Sequence, residues 1–173
     1  MEAFGYIGPS GIWTAHLTNH DYLTFQFGRK LKEFTDRGGA AGLAQRIAAH
    51  VSTRAHLLRE CPHPVLCHND LHAGNVLAEI AEGGVRLSGV LDFEGALAGD
   101  PLMDVAMALY YLNVEARNAL LEGYGDTGRQ HWSQTLDFYH LYFVLELWCW
   151  MAQIGNEQPL ENLALDLERC SAV

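Results

Sequence analysis

The clearest hydrophobic pattern in the chain lies between residues 43 and 58. Apolar side chains recur there at every third or fourth position, at Leu43, Ile47, Val51, Ala55 and Leu58. This spacing places them on one face of a helix and predicts an amphipathic α-helix. Pro62 and Pro64 mark its end, because proline lacks an amide hydrogen and clashes with the preceding helical turn.

The carboxyl-terminal half of the chain predicts mostly helix. Asp100-Pro101 is typical of a helix start, with aspartate as the N-cap and proline at the first helical position, and this helix is expected to reach about Leu112. The pattern predicts a second helix from Val114 to Tyr124 and a last one from Leu160 to Arg169. Between them, a long and heavily buried helix is expected from His131 to Ile154.

Short apolar runs in the middle of the chain predict strands. Two of them are Val65 to Cys67 and Val76 to Ala78, and a third, Val85 to Leu91, follows the turn signal Glu82-Gly83-Gly84. We therefore expect an α+β fold that is mainly α, with a small β-hairpin region between two sets of helices.

The amino-terminal segment is less regular. Residues 1–12 combine glycine, proline and serine with apolar side chains, which favours turns and irregular backbone. Residues 13–36 mix aromatic and polar side chains and predict one or two helices, which Gly38-Gly39 ends.

Composition indicates one folded domain with an acidic surface. The chain has 173 residues, of which 49% are hydrophobic and 18% charged, and this is enough for a real core. Its net charge of -10 repels nucleic acid and anionic lipid, so neither is expected as a partner. An acidic surface is compatible with a cationic small molecule, although charge alone identifies no ligand.

The cysteines and the most apolar segment indicate where in the cell the protein is expected. The four cysteines show no C-x-x-C spacing, and we expect reduced thiols in a cytoplasm. Residues 141–150 are the most apolar stretch, but Glu146 interrupts them and a membrane-spanning helix needs about 20 residues. No association with a membrane is expected.

Two loops carry the side chains that phosphoryl transfer requires. Residues 68–75 have the sequence H-N-D-L-H-A-G-N, and residues 91–94 have L-D-F-E. Phosphoryl transfer needs a carboxylate near the acceptor hydroxyl and oxygen ligands for magnesium. In kinase catalytic loops an aspartate follows a histidine by two positions and an asparagine follows it by seven, and these offsets fall on Asp70 and Asn75.

Together with G-D-P-L-M-D-V-A at residues 99–106, these loops resemble the aminoglycoside phosphotransferase and choline kinase-like family. Asn69 and Glu94 stand where protein kinases more often have arginine and glycine. The resemblance covers residues 65–106. It implies the carboxyl-terminal lobe of a protein-kinase-like fold, in which a small β-hairpin region carries the catalytic and metal loops.

The resemblance also implies roles for individual residues. Asp70 is the catalytic base, Asn75 and Asp92 ligate Mg²⁺, and ATP or GTP donates the phosphate. His68 and Asp104 are structural supports of the site. A lone aspartate or asparagine is more often a turn residue, but the joint spacing favours the kinase loop.

The helices at residues 101–170 are expected, by the same resemblance, to carry the acceptor pocket. Three acidic residues are candidates for binding the ammonium groups of a substrate, namely Asp137, Glu146 and Glu157. Aromatic side chains could instead enclose a quaternary ammonium group, at Tyr139, Tyr142, Trp148 and Trp150. Both sets also fit a simpler interpretation, a solvated helix face for the acids and the core for the aromatics.

A zinc site is an alternative for the cysteines and histidines near the first loop, which are Cys61, His63, Cys67, His68 and His72. Structural zinc sites usually have paired ligands at short spacings, and the kinase loop already accounts for the histidines. We expect no zinc.

The amino-terminal lobe of a kinase is not found in the sequence. No G-x-G-x-x-G pattern occurs, and the only lysines, Lys30 and Lys32, lie in a predicted helix. We expect residues 1–12 to be an inter-lobe connecting segment, residues 13–173 to be a carboxyl-terminal lobe and the amino-terminal lobe to be absent. Such a chain should have little activity alone, and its exposed inter-lobe face should favour self-association or a separate amino-terminal-lobe chain.

The leading hypothesis is a small-molecule kinase lobe that transfers the γ-phosphate of ATP to a substrate hydroxyl. An aminoglycoside is the first candidate acceptor by resemblance, while choline, homoserine, a macrolide and a fructosamine stay open. The alternative hypothesis is a truncated or non-catalytic binding or regulatory module that keeps the fold.

Overall fold

Two helices form the amino-terminal part of the computed structural model, which describes residues 1–172. Helix α1 spans Asn19–Asp36 and begins at Thr18, whose hydroxyl oxygen accepts a hydrogen bond from the backbone N–H of Asp21 at 3.0 Å. Helix α2 spans Ala41–Arg54 and continues as a short 3₁₀ helix over Ala55–Glu60. The predicted amphipathic helix before the prolines is therefore confirmed.

Six short strands form two separate antiparallel sheets. They are β1 (Phe4–Gly8), β2 (Gly11–His16), β3 (Val65–Cys67), β4 (Val76–Ala81), β5 (Gly84–Val90) and β6 (Leu97–Gly99). The larger sheet has the order β2-β1-β6-β3, and β4 and β5 form a hairpin of their own. The three predicted strands are confirmed as β3, β4 and β5.

The expectation of irregular backbone over residues 1–12 is wrong. β1 and β2 pair there as a hairpin, with Gly8 opposite Gly11 across the turn. Gly11 has a φ of 120°, which glycine adopts without strain, so the turn-forming residues are concentrated at the tip of the hairpin. The helix expected to start near Trp13 begins only at Asn19, because β2 continues to His16.

Four helices complete the fold. They are α3 (Leu102–Tyr111), α4 (Val114–Tyr124), α5 (Trp132–Gln153) and α6 (Leu160–Ser171). α5 is the central helix and packs against α1, α3 and α6, with Phe138, Leu141 and Leu145 almost fully buried. The four helices predicted for this half of the chain are confirmed, and the fold is α+β and mainly α, as expected.

Among residues 1–172, none of the helices combines the length and the apolar character that crossing a bilayer requires.

The β4–β5 hairpin presents an exposed apolar face. Ile80 pairs with Val85 and Ala78 pairs with Leu87, so these four side chains point to the same side of the hairpin. Ile80 is 96% exposed, and Val85 and Leu87 are exposed by more than 70%. Contiguous exposed apolar side chains of this kind usually mark a contact surface.

We therefore expect the chain to self-associate through this face. The variant carrying both Ile80→Lys and Leu87→Lys should shift the protein toward monomer, because charged side chains on a strand oppose edge and face contacts. Light scattering over a range of concentrations measures this. Ile154→Lys, at an exposed apolar residue after α5, is the control and should leave the distribution unchanged. A wild-type chain that stays monomeric at high concentration would contradict the expectation.

Candidate active site

The loop at residues 68–75 is fixed at its start by Asp104 of α3. The two carboxylate oxygens of Asp104 accept hydrogen bonds from the backbone N–H groups of His68 and Asn69, each at 2.7 Å. Hydrogen bonds to a charged acceptor are roughly twice as strong as neutral ones. Asp104 therefore ties the beginning of this loop to the first turn of α3.

His68 connects this loop to the segment that contains Asp92. Its Nδ1 accepts a hydrogen bond from the backbone N–H of Asp70 at 3.2 Å. Because Nδ1 accepts, the ring hydrogen lies on Nε2, which donates to the carbonyl oxygen of Leu91 at 2.6 Å. The ring of Phe93 also packs on the imidazole, at a centroid distance of 4.5 Å. The buried His68 thus holds both loops together.

Asp70 and Asn75 are bonded to each other across the loop. The Asn75 side-chain N–H₂ group donates to the Asp70 carbonyl oxygen at 2.9 Å and to its carboxylate at 3.0 Å. Both bonds use the side-chain amide nitrogen of Asn75, so its amide oxygen is left for another partner. Oxygen is the ligand atom that a hard cation prefers. His72 lies 3.7 Å from the Asp70 carboxylate.

Asp92 adopts an uncommon backbone conformation. Its φ and ψ are both 64°, in the left-handed region, and Asn69 in the other loop has a φ of 61°. Non-glycine residues in this region are uncommon and tend to occur at functional sites. A backbone hydrogen bond of 2.8 Å from Leu91 to Asn75 fixes the strand end before Asp92.

Asp70 and Asp92 line the same cleft, which has a volume of about 470 Å³. The other lining residues are Lys30, Asn69, His72, Glu94, Gly95, Met107, Tyr111, Phe143, Glu146, Leu147 and Trp150. The cleft therefore combines four carboxylates with aromatic and apolar side chains from α3 and α5, and Asn75 is not among the residues that line it.

The structure brings one of the three acidic acceptor candidates to the cleft. Glu146 lines it and accepts a hydrogen bond from the Tyr6 hydroxyl at 3.4 Å. Asp137 and Glu157 do not line it, and both are exposed on the surface. Partial burial nevertheless raises the pKa of Asp137, against a lowering effect of His140.

The four aromatic candidates do not form a box around a ligand. Tyr139, Tyr142 and Trp148 are buried in the core, with at most 5% of each side chain exposed. Trp150 is 50% exposed and lines the cleft alone among the four. The interpretation as core aromatics is therefore correct for three of them.

The candidate zinc ligands do not converge on a metal. Within residues 1–172, no group of three or more histidine, cysteine, aspartate or glutamate side chains is placed to hold a metal ion. The thiol of Cys67 instead donates to the carbonyl oxygen of Asp100 at 3.3 Å. Burial raises the pKa of the Cys67 thiol, and that of Cys61 to about 11.

Sequence reasoning missed two features of the site. The sequence predicts only that Lys30 lies in a helix, whereas its side chain lines the cleft. Asp100 was seen only as a helix cap, yet it is fully buried and accepts two hydrogen bonds from Arg129, at 2.8 and 2.7 Å, and one from the Tyr139 hydroxyl at 2.7 Å. This network holds the start of α3 and therefore the turn that carries Asp104.

Comparison with known proteins identifies the family. The model of the phosphotransferase enzyme family, APH, matches residues 13–138. The fold is similar to the apo form of a thermostable mutant of aminoglycoside phosphotransferase APH(4)-Ia, with a TM-score of 0.76, and to its N202A ternary complex with AMP-PNP and hygromycin B, with a TM-score of 0.70. Both are 22% identical to this chain and cover 97% of it.

A third similar structure is a putative fructosamine-3-kinase from Thermobifida fusca, which is 22% identical and has a TM-score of 0.67 over 99% of this chain. The chain spans 56% of the length of the two aminoglycoside phosphotransferase structures and 59% of the third. No curated protein sequence matches it. The match to the family model covers most of the chain, so this protein belongs to the phosphotransferase enzyme family.

Proposed function

We propose that this chain is the carboxyl-terminal lobe of a small-molecule kinase that transfers the γ-phosphate of ATP to a substrate hydroxyl. The observation that carries the proposal is the common cleft of Asp70 and Asp92, with Asn75 bonded to Asp70. Two carboxylates in one cleft, with an asparagine hydrogen-bonded to one of them, suit a site for a magnesium nucleotide.

Asp70 is the proposed base, because its half-exposed carboxylate is open to an acceptor hydroxyl in the cleft. The oxygen atoms of Asn75 and Asp92 fit Mg²⁺, a hard cation that usually takes one or two protein carboxylates and keeps other positions for water and phosphate. When bound, the ion would neutralise charge on the phosphates of ATP or GTP. His68 and Asp104 are proposed supports, through the loop hydrogen bonds described above.

On the acceptor side we propose Glu146 as the residue that binds an ammonium or hydroxyl group of the substrate. Its carboxylate is 17% exposed and faces the same cleft as Asp70. Asp137 and Glu157 are not carried into this proposal, because they lie away from the cleft. An aminoglycoside is the first candidate acceptor, supported by the hygromycin B complex of a similar structure, and a fructosamine is the next.

We also propose a cytoplasmic location, which the thiols support. Cys61, Cys67, Cys149 and Cys170 are all free, and the first three are buried. Free thiols of this kind are typical of a reducing compartment.

Magnesium-dependent ADP release tests the proposed function. We expect turnover in an extended form that includes an amino-terminal lobe, with an acceptor among hygromycin B, choline, homoserine and a fructosamine. Residues 1–173 alone should be slower by about 10²–10³-fold or more, because the loss of even one contact that stabilises the transition state lowers the rate by this amount. An extended form that binds nucleotide but phosphorylates none of these acceptors would favour a non-catalytic binding module instead.

A further inference from the structure

The cleft contains a cation that the phosphate-transfer chemistry described above does not use. Lys30 of α1 lines the cleft with only 14% of its side chain exposed. Its ammonium nitrogen lies 3.8 Å from the Glu146 carboxylate and 3.4 Å from that of Glu33. A lysine that lines a cleft together with four carboxylates changes the net charge that the cleft presents to a ligand.

We propose that Lys30 is a specificity-determining residue that acts as an internal counter-cation of Glu146. An acceptor ammonium group must displace Lys30 from Glu146, so Lys30 lowers the affinity for every amine acceptor and lowers it most for acceptors with several positive charges, such as an aminoglycoside. This inference rests on the proposed function, because it concerns the acceptor of the same site.

Glu146 has unused capacity for a ligand. Its side chain is largely buried, yet its partners are one long hydrogen bond of 3.4 Å from Tyr6 and the ammonium of Lys30, which lies beyond hydrogen-bond distance. The buried hydroxyl of Tyr142 lies close to Glu146 without a hydrogen bond of normal geometry, and burial and then Glu146 raise its pKa. A carboxylate can accept about four hydrogen bonds, so Glu146 can take a substrate donor.

Lys30 can leave Glu146 without losing its charge partner. Glu33 lies one helical turn further along α1 and also pairs with Arg37, at 3.1 Å. Burial raises the pKa of Glu33, but Lys30 and Arg37 more than offset this effect, so the pKa is lowered overall. Glu33 therefore stays ionised and holds Lys30 when a substrate ammonium takes its place beside Glu146.

The remaining wall sets the shape of the acceptor. Tyr111, Phe143 and Trp150 line the cleft, and the first and last are about half exposed. An aromatic side chain can pack its face against the apolar side of a ring in the ligand. The same face can bind a single ligand cation that lies directly above it. A second or third ammonium group of the acceptor would lie near the Lys30 ammonium group, and the two positive charges would repel each other.

The test is isothermal titration of the chain with hygromycin B, as an amine-rich probe, and with ethanolamine, as a probe with one amine. Lys30→Gln should bind hygromycin B about tenfold more tightly than the wild-type chain and change ethanolamine binding less. Lys32→Gln removes the same charge two residues away, at an exposed lysine paired with Asp36, and should leave both affinities unchanged. Circular dichroism checks that all variants are folded.

A second variant distinguishes an effect through Glu146 from a general change in charge. In the Glu146→Gln background, Lys30→Gln should no longer increase the affinity for hygromycin B. The proposal is overturned if Lys30→Gln binds hygromycin B no more tightly than the wild-type chain does. It is also overturned if the increase in affinity persists in the Glu146→Gln background, or if neither the wild-type chain nor Lys30→Gln binds hygromycin B. The titrations contain no nucleotide or magnesium, so a failure here is separate from a failure of phosphate transfer.

Discussion

Asp70→Asn is expected to lower phosphate transfer by about 10²–10⁴-fold in the form of the enzyme that turns over. The substitution removes the carboxylate that would accept the proton of the acceptor hydroxyl and keeps the size of the side chain. Because the proton transfer belongs to the chemical step, the loss should appear in kcat more than in KM. Initial rates of acceptor phosphorylation at saturating ATP and magnesium measure it.

The fold should tolerate this substitution. An asparagine oxygen at position 70 can still accept the hydrogen bond from Asn75 that the carboxylate accepts at 3.0 Å, and the second bond goes to the backbone. The Asp70 side chain is 48% exposed, so little packing depends on it. Urea unfolding should therefore give a free energy of unfolding within about 1 kcal/mol of the wild-type value.

Asp126→Asn makes the same chemical change at an exposed carboxylate in the α4–α5 loop and serves as the control. It should leave the rate unaltered. An Asp70→Asn enzyme that keeps more than half of the wild-type rate would remove Asp70 from the role of base and leave the cleft as a binding site only.

The parts of this protein that could be predicted from sequence depend on local interactions. The bounds predicted for α4, Val114 to Tyr124, agree with the structure because both ends are set by adjacent residues. The Asn113 side chain accepts from the backbone of Ala116, and Gly125 adopts a φ of 78° after the last turn. The pattern of the loop at residues 68–75, which carries the proposed base, can likewise be read from the sequence because its residues lie within eight positions of one another.

The parts that could not be predicted depend on pairs far apart in the chain. Lys30 and Glu146 are separated by more than a hundred residues, and neither has a local signal that distinguishes it from a solvated helix residue. Asp137 and Glu157 had the same local signal as Glu146, but only packing decides which of the three faces the cleft. The pairing of β1 with β6, some 90 residues away, could not be predicted for the same reason, and it adds a long-range partner to the otherwise local hairpin over residues 4–16.

Arg129→Met is expected to destabilise the chain by about 3–5 kcal/mol, because it leaves a buried carboxylate without its cationic partner. Asp100 is fully buried, and the Arg129 side chain, itself 16% exposed, supplies the charge opposite it. Without Arg129 the carboxylate would keep hydrogen bonds from Tyr139 and from the backbone of Leu102, but no cation. Removing one partner of a buried ion pair lowers the free energy of unfolding far more than removing one partner of an exposed pair.

Urea and thermal unfolding measure this effect, and the midpoint temperature should fall by about 10 °C for a domain of this size. Arg86→Met removes an exposed partner of Glu79 and should change the free energy of unfolding by less than about 1 kcal/mol. Adding Asp100→Asn to Arg129→Met should restore part of the stability, since the stranded charge is then gone. A double variant less stable than Arg129→Met would mean that Asp100 stabilises α3 mainly through its hydrogen bonds. Neutralisation of the Asp100 charge would then not be the main contribution of Arg129 to stability.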